Sequence, residues 1–349
     1  MTLFDSANGL GRDLRLAAAT AVSTSAGAPG LTLAPDDEVD EWLDRLSSGE
    51  MDAGDESALS SLRADSELPV GSSAEARLGR YQIMGVLGEG RYAQVFKGYD
   101  PILERAVALK VPRPSVVPKD RVGARFLGEA RALARLRHPG IVPVFELGHD
   151  GGRCFIAMAL IEGHSLAELR DRDHRSIDFR RAAQIVAEVA LALDHAHGQG
   201  VLHRDVKPAN ILFDRSGHVY LTDFGLAHRP GSGEPAARPG AVVGTPAYAA
   251  PEQASGDHAQ VVPASDQYSL GAVLYELLCG RTPFCGPPLY VLYQAMSQDP
   301  PSPRAIRPAV PAPLAAICLK TLARAPERRY GSCAELAEGL RRWARSGSD

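Results

Sequence analysis

From Arg80 onward, apolar and polar residues alternate in short runs separated by turn residues. YQIMGVLGEG, AQVFKGYD, RAVALKVP, IVPVFELG and RCFIAMAL look like strands set off by turn residues, so five strands of a small sheet are expected. One helix interrupts them: in DRVGARFLGEARALARL, Phe126, Ala130, Leu133 and Leu136 share a helical face and Asp120 is placed to cap it. Beyond Gly163 the period lengthens to that of helices, in SLAELRD, FRRAAQIVAEVALALDHAHGQG, SDQYSLGAVLYELLCG, LAAICLKTLAR and CAELAEGLRRWAR. The proline-rich stretch PPSPRAIRPAVPAPL lies between two helices and reads as a structured connector, not as a ligand for proline-binding modules.

Before this patterned region the texture is different. Residues 1–79 are rich in Ala, Ser, Gly and acidic side chains, contain no lysine, and are expected to be mostly disordered. Within them, Val39, Trp42, Leu43 and Leu46 fall at i, i+3, i+4 and i+7 behind acidic residues, which predicts a short amphipathic helix near 36–47. Such a helix would either dock on the rest of the chain or a partner, or stay a solvated tail.

Composition narrows the classes. The 349 residues are 45% apolar, enough for one two-lobed domain or two modest ones, and the net charge of −4 gives no global attraction to nucleic acid or anionic membrane. The five cysteines form no CxxC pair and no zinc-like cluster, and read as reduced thiols. No run is long and apolar enough for a membrane span. The stretch Leu16 to Val22 has the outline of a signal-peptide core, but it is short and preceded by Asp5 and Asp13, so a cytoplasmic location is expected.

The chemistry concentrates in HRDVKPANILF, His203 to Phe213, and in DFG at Asp223, Phe224 and Gly225. A phosphate-transferring site needs a carboxylate to receive the acceptor's proton, a second carboxylate to hold Mg²⁺ on the nucleotide phosphates, and a neutral oxygen ligand to complete the metal shell. Asp205, Asp223 and Asn210 suit those roles in that order. On these motifs the chain resembles protein kinases, and GTPAYAAPEQ is close to the form found in bacterial eukaryotic-like (Hanks-type) serine/threonine kinases. The resemblance covers roughly three quarters of the chain, from near Arg80 to near Trp343. It implies an α+β, two-lobed protein kinase fold over residues 80–345. The small lobe (80–160) would be a five-stranded antiparallel sheet plus one helix, and the large lobe (161–345) mainly α.

The resemblance also assigns further residues. Leu87, Gly88, Glu89 and Gly90 would form a turn whose backbone N–H groups cover the triphosphate, with Ala93 where the family pattern has a third glycine. Lys110 would contact the α- and β-phosphates, fixed by Glu129. Val95, Ala108, Met158, Ala159, Ile161 and Leu212 would enclose the adenine, Met158 closing the rear and Ile161 offering its backbone amide. Lys207 would steady charge on the transferred group, and its place two residues after Asp205 suits serine/threonine acceptors. Thr245 would shape the acceptor groove, Glu252 would pair with Arg329, and Asp266 would accept N–H groups of the HRD loop. A phosphate on Ser232 would pair with Arg204 and order the activation segment.

The implied activity is transfer of the γ-phosphoryl group of ATP to Ser/Thr hydroxyls of protein substrates, and of the protein itself, with Mg²⁺ or a substituting Mn²⁺. A dimer for activation is a further expectation. Two other readings stay open: a pseudokinase acting as a scaffold, although the lysine and both aspartates are retained, and a small-molecule phosphotransferase, although the APE motif at Ala250 to Glu252 argues against it. The chain is either a soluble enzyme or a fragment of a longer sensor kinase.

Overall fold

The computed structural model describes residues 76–90, 93–113, 132–151, 153–172, 177–224, 246–255 and 260–346. The segment 36–47, most of the helix expected after Asp120, Glu129, Gly225, Ser232 and Thr245 lie outside them.

The small-lobe sheet has six strands where five are expected: β1 (Arg77–Leu78), β2 (Tyr81–Glu89), β3 (Ala93–Asp100), β4 (Arg105–Pro112), β5 (Val144–Asp150) and β6 (Arg153–Ala159), in the order β1-β2-β3-β4-β6-β5. All neighbours are antiparallel. The additional strand, which begins before residue 80, has a local cause. Gly79 takes φ +55° in a two-residue turn, so Leu78 faces Tyr81 across the hairpin and is almost completely buried. There it joins Tyr81, Phe96, Val107, Leu109, Val111, Phe155 and Ala157 in one apolar cluster. Tyr81 meets Phe155 edge-on at 5.8 Å and donates its hydroxyl to Glu146 Oε2 at 2.6 Å, so its polar end is satisfied where its ring is buried.

A second, three-stranded sheet comprises β7 (Gly163–Ser165), β8 (Ile211–Asp214) and β9 (Val219–Leu221), again antiparallel. Gly163 is needed there because a Cβ would lie 1.9 Å from the carbonyl oxygen of Phe213. Leu221 N–H donates to Gly140 C=O (2.8 Å) and Val142 N–H to Leu221 C=O (3.1 Å), so the chain leading into β5 is tied directly to β9, two residues before Asp223.

The large lobe is built on α1 (Leu166–Arg172), α2 (Phe179–Gly198), α3 (Pro251–Ala254), α4 (Pro263–Cys279), α5 (Pro288–Ser297), α6 (Pro303–Ile306), α7 (Ala312–Thr321) and α8 (Cys333–Arg345). Asp178 caps α2 by accepting the N–H groups of Arg180 and Arg181. Gly280, at φ +74°, ends α4 by donating to Glu276 C=O at 2.7 Å. Helix α4 is buried on every side from Ser265 to Leu278, as expected of a helix at the centre of a lobe. Against it and α2 pack Leu314 and Cys318 of α7 and Leu336, Ala337 and Leu340 of α8. The proline-rich connector contributes the single turn α6, and its Pro303 and Val310 are buried.

Candidate active site

Asp266, in the first turn of α4, organises the catalytic loop from beneath. Its Oδ2 accepts the His203 N–H at 2.8 Å and meets His197 Nε2 at 2.8 Å, while Oδ1 accepts the Arg204 N–H at 2.7 Å. Burial alone would raise the proton affinity of this carboxyl, but the hydrogen bond and charge of His197 and the backbone N–H of His203 keep it below the usual carboxylate range. The scaffold role expected of Asp266 is therefore the one it has.

His203 links this loop to the DFG segment. Its buried ring has Nε2 2.9 Å from Thr222 C=O and Nδ1 3.2 Å from Asp205 N–H, and it packs on Phe224 at 4.6 Å between centroids. A carbonyl only accepts and an amide only donates, so Nε2 carries the hydrogen and Nδ1 is bare. The ring must then be neutral, which agrees with burial lowering its proton affinity. Because the folded state resists protonation more than the unfolded chain, this contribution to stability is complete above about pH 6.5 and is lost as pH falls below it. Thermal melts followed from about pH 7.5 to about pH 5.5 should show that loss in the wild type, with a shallower pH dependence in His203→Leu. Parallel curves would contradict it.

Asp205, Lys207, Asn210 and Asp223 come together on this base. Lys207 Nζ donates to Asp205 Oδ2 at 2.6 Å, and Asn210 Nδ2 donates to the Asp205 carbonyl at 2.8 Å. With its amide nitrogen so engaged, Asn210 keeps Oδ1 without a hydrogen bond among the described residues. Asp223 sits at φ +60°, an uncommon conformation for a residue with a side chain, and its Oδ1 accepts from Lys110 Nζ at 3.0 Å. Burial pushes this carboxyl up, and the Lys110 ammonium overrides it and keeps the group ionised. An oxygen of Asn210 and a carboxylate of Asp223 are hard donors of the kind Mg²⁺ prefers, so the donor set fits that ion. The expected partner of Lys110, Glu129, lies outside the described residues; within them its partner is Asp223.

Residues expected around the adenine share one apolar cluster. Ala108 and Met158 are buried in it, with Val95, Ala159, Leu160, Ile161 and Leu212 packed at its margin. Met158 also lines a cavity with Lys110, Leu133, Asp223 and Phe224. Ala159 N–H is occupied by Pro143 C=O at 2.9 Å, whereas the Ile161 N–H has no backbone partner among the described residues. Gly88 and Glu89 lie at the end of β2, and Gly90 N–H donates to Ala93 C=O at 2.9 Å. A Cβ at Gly88 would meet nothing within 4 Å, so the loop there borders open space. Leu87 is half exposed and outside the cluster.

Two buried networks support the site from behind. Glu252 pairs with Arg329, as expected, at 2.6 and 3.0 Å. Sequence reasoning missed the second: Glu276 of α4 accepts from Arg170 at 2.6 Å and from the Tyr248 hydroxyl at 2.7 Å, joining α1, α4 and the turn before α3. Tyr and Glu at these positions have no local spacing relation, so only the fold brings them together.

The protein kinase domain family matches residues 81–338. The DNA damage-responsive serine/threonine-protein kinase RqkA of Deinococcus radiodurans is 42% identical over 262 residues, 74% of this chain and 39% of its own length. Serine/threonine-protein kinase PknB of Mycobacterium tuberculosis is 40% identical over 269 residues, 75% of this chain and 42% of its own. The chain thus spans about two fifths of the length of these curated relatives. Among solved structures, the Mycobacterium tuberculosis PknI kinase domain superposes with a TM-score of 0.62 at 30% identity, over 78% of this chain and 99% of that one. Since the family match runs from the first residue of β2 into α8 and takes in both the sheet-borne lysine and the loop anchored on Asp266, this chain belongs to the protein kinase domain family.

Proposed function

We propose that this chain is an ATP- and Mg²⁺-dependent protein serine/threonine kinase of the bacterial Hanks type, acting where cytoplasmic ATP is available. The observation that carries the reading is the single network in which Asp205, Lys207 and Asn210 are hydrogen-bonded to one another beside the Lys110–Asp223 pair. Asp205 would orient the acceptor hydroxyl and take its proton as the new O–P bond forms and the bond from the γ-phosphorus to the bridging oxygen breaks, releasing ADP. Lys207, already on the Asp205 carboxylate, would stabilise charge on the moving phosphoryl group. Lys110 would position the nucleotide phosphates, and Ile161 N–H the adenine. Asn210 and Asp223 would hold the metal, whose charge neutralises the phosphate oxygens when bound. The Ser/Thr acceptor class is supported by Lys207 and by the names of the relatives.

Incubation with γ-labelled ATP, Mg²⁺ and a generic protein acceptor, followed by phosphoamino-acid analysis, tests the acceptor class. Label should appear as phosphoserine and phosphothreonine. Label confined to phosphotyrosine, or released only as inorganic phosphate, would overturn it.

A further inference from the structure

The peptide bond between Arg204 and Asp205 determines where the Asp205 carboxylate points, and it is gripped at both ends. Its N–H, that of Asp205, donates to His203 Nδ1 at 3.2 Å, and its C=O, that of Arg204, accepts from Gln253 Nε2 at 2.9 Å. Arg204 itself is held at φ +65°, a conformation that costs about 1 kcal/mol or more and persists only where surroundings enforce it. On the other side of that residue, its N–H is fixed by Asp266.

Gln253 lies in α3, immediately after the APE motif, and its second amide atom is also engaged: Oε1 accepts the Ala250 N–H at 2.9 Å. Only one orientation of the carboxamide satisfies both contacts, since an N–H must face an oxygen and a C=O must face an N–H. A glutamine can therefore bridge the two backbones, whereas a glutamate, with two acceptor oxygens, can serve only the Ala250 side.

We infer that Gln253 is a positioning residue for the transfer step: its Nε2–H holds the Arg204–Asp205 peptide plane, and through it the carboxylate that receives the acceptor's proton. This inference rests on the kinase reading above. Gln253 touches neither nucleotide nor acceptor; it acts through Arg204 and couples the segment after the activation loop to the proton-accepting group.

Two near-isosteric variants separate positioning from simple anchoring of α3. Gln253→Met loses both hydrogen bonds. Gln253→Glu keeps the Ala250 contact and sets a carboxylate oxygen against the Arg204 carbonyl. Both should lower kcat, Gln253→Met about tenfold and Gln253→Glu by more, with KM for ATP within about twofold of wild type. Folded fraction is checked by thermal melts and rates are expressed per folded molecule. If anchoring α3 were the whole role, Gln253→Glu would retain kcat better than Gln253→Met, and that order would overturn the inference, as would wild-type kcat in both. Wild type and Asp205→Asn run alongside keep the outcomes distinct: no transfer by wild type sinks the kinase reading, while an active wild type with unaffected Gln253 variants sinks only the positioning role.

Discussion

Asp205→Asn is expected to lower the rate of phosphoryl transfer by about 10²- to 10⁴-fold while leaving nucleotide affinity nearly unchanged, the range lost when a general base is removed. The substitution preserves shape, and an amide oxygen can still accept from Lys207, whose Nζ lies 2.6 Å from the native carboxylate. The backbone of residue 205 keeps its contacts to His203 and Asn210 as well. On the proposed mechanism, what disappears is the capacity to take a proton from the acceptor and the negative charge that orients its hydroxyl. The adenine cluster and the Lys110–Asp223 pair do not involve Asp205, so nucleotide binding measured by fluorescence should persist. A kcat within threefold of wild type would be incompatible with Asp205 as the base, and loss of nucleotide binding would make its role structural.

Arg329→Met is expected to be the most damaging substitution to stability, by about 3–5 kcal/mol, the cost of breaking a buried ion pair from one side. The Arg329 side chain has no exposed surface. It donates to both oxygens of Glu252 and to the carbonyls of Ala264, Ala323 and Arg324, at 2.6 to 3.0 Å. Removing it leaves a buried carboxylate with the Ser265 hydroxyl as its remaining side-chain partner, and three carbonyls without that donor. A melting-temperature loss on the order of 10 °C should follow, partly recovered when Glu252→Leu is added, because the stranded charge is then gone. In wild type, burial would raise the Glu252 carboxyl, but Arg329 holds it below its ordinary value, so the pair's contribution is complete above about pH 4.5 and is lost as pH falls below that. A melting temperature within about 2 °C of wild type would contradict the account.

Much of this was legible in the sequence because the relevant signals are local or follow a fixed order. The five longer strands of the small lobe stand out as short apolar-rich runs bounded by turn residues, α2 and α8 carry apolar faces long enough to read, and α4 is a long, nearly continuous apolar run. The HRD, DFG and APE motifs drew attention to this region, where Asn210 bonds the Asp205 carbonyl and Thr222, the neighbour of Asp223, donates its N–H to the Asn210 carbonyl.

What escaped was short or non-local. Strand β1 has two residues and depends on Gly79 turning Leu78 into the core. Strands β7 and β9 have three residues each, below the length at which alternation is visible. Helix α5 was missed because it turns only Val291 and Ala295 inward, while Leu289, Tyr290, Tyr293 and Met296 remain exposed; its apolar residues are not a core stripe. The extended tether of Gln253 to Arg204 spans 49 positions and leaves no trace in spacing.

The most direct test is a single-turnover reaction of wild-type protein with γ-labelled ATP, Mg²⁺ and a Ser/Thr-containing protein acceptor, with label and ADP quantified together. The account predicts one ADP for each phosphate esterified to an acceptor hydroxyl, a transfer abolished by chelating the metal and slowed about 10²- to 10⁴-fold by Asp205→Asn. ADP formed without acceptor labelling, or transfer that continues unchanged in Asp205→Asn, would contradict it.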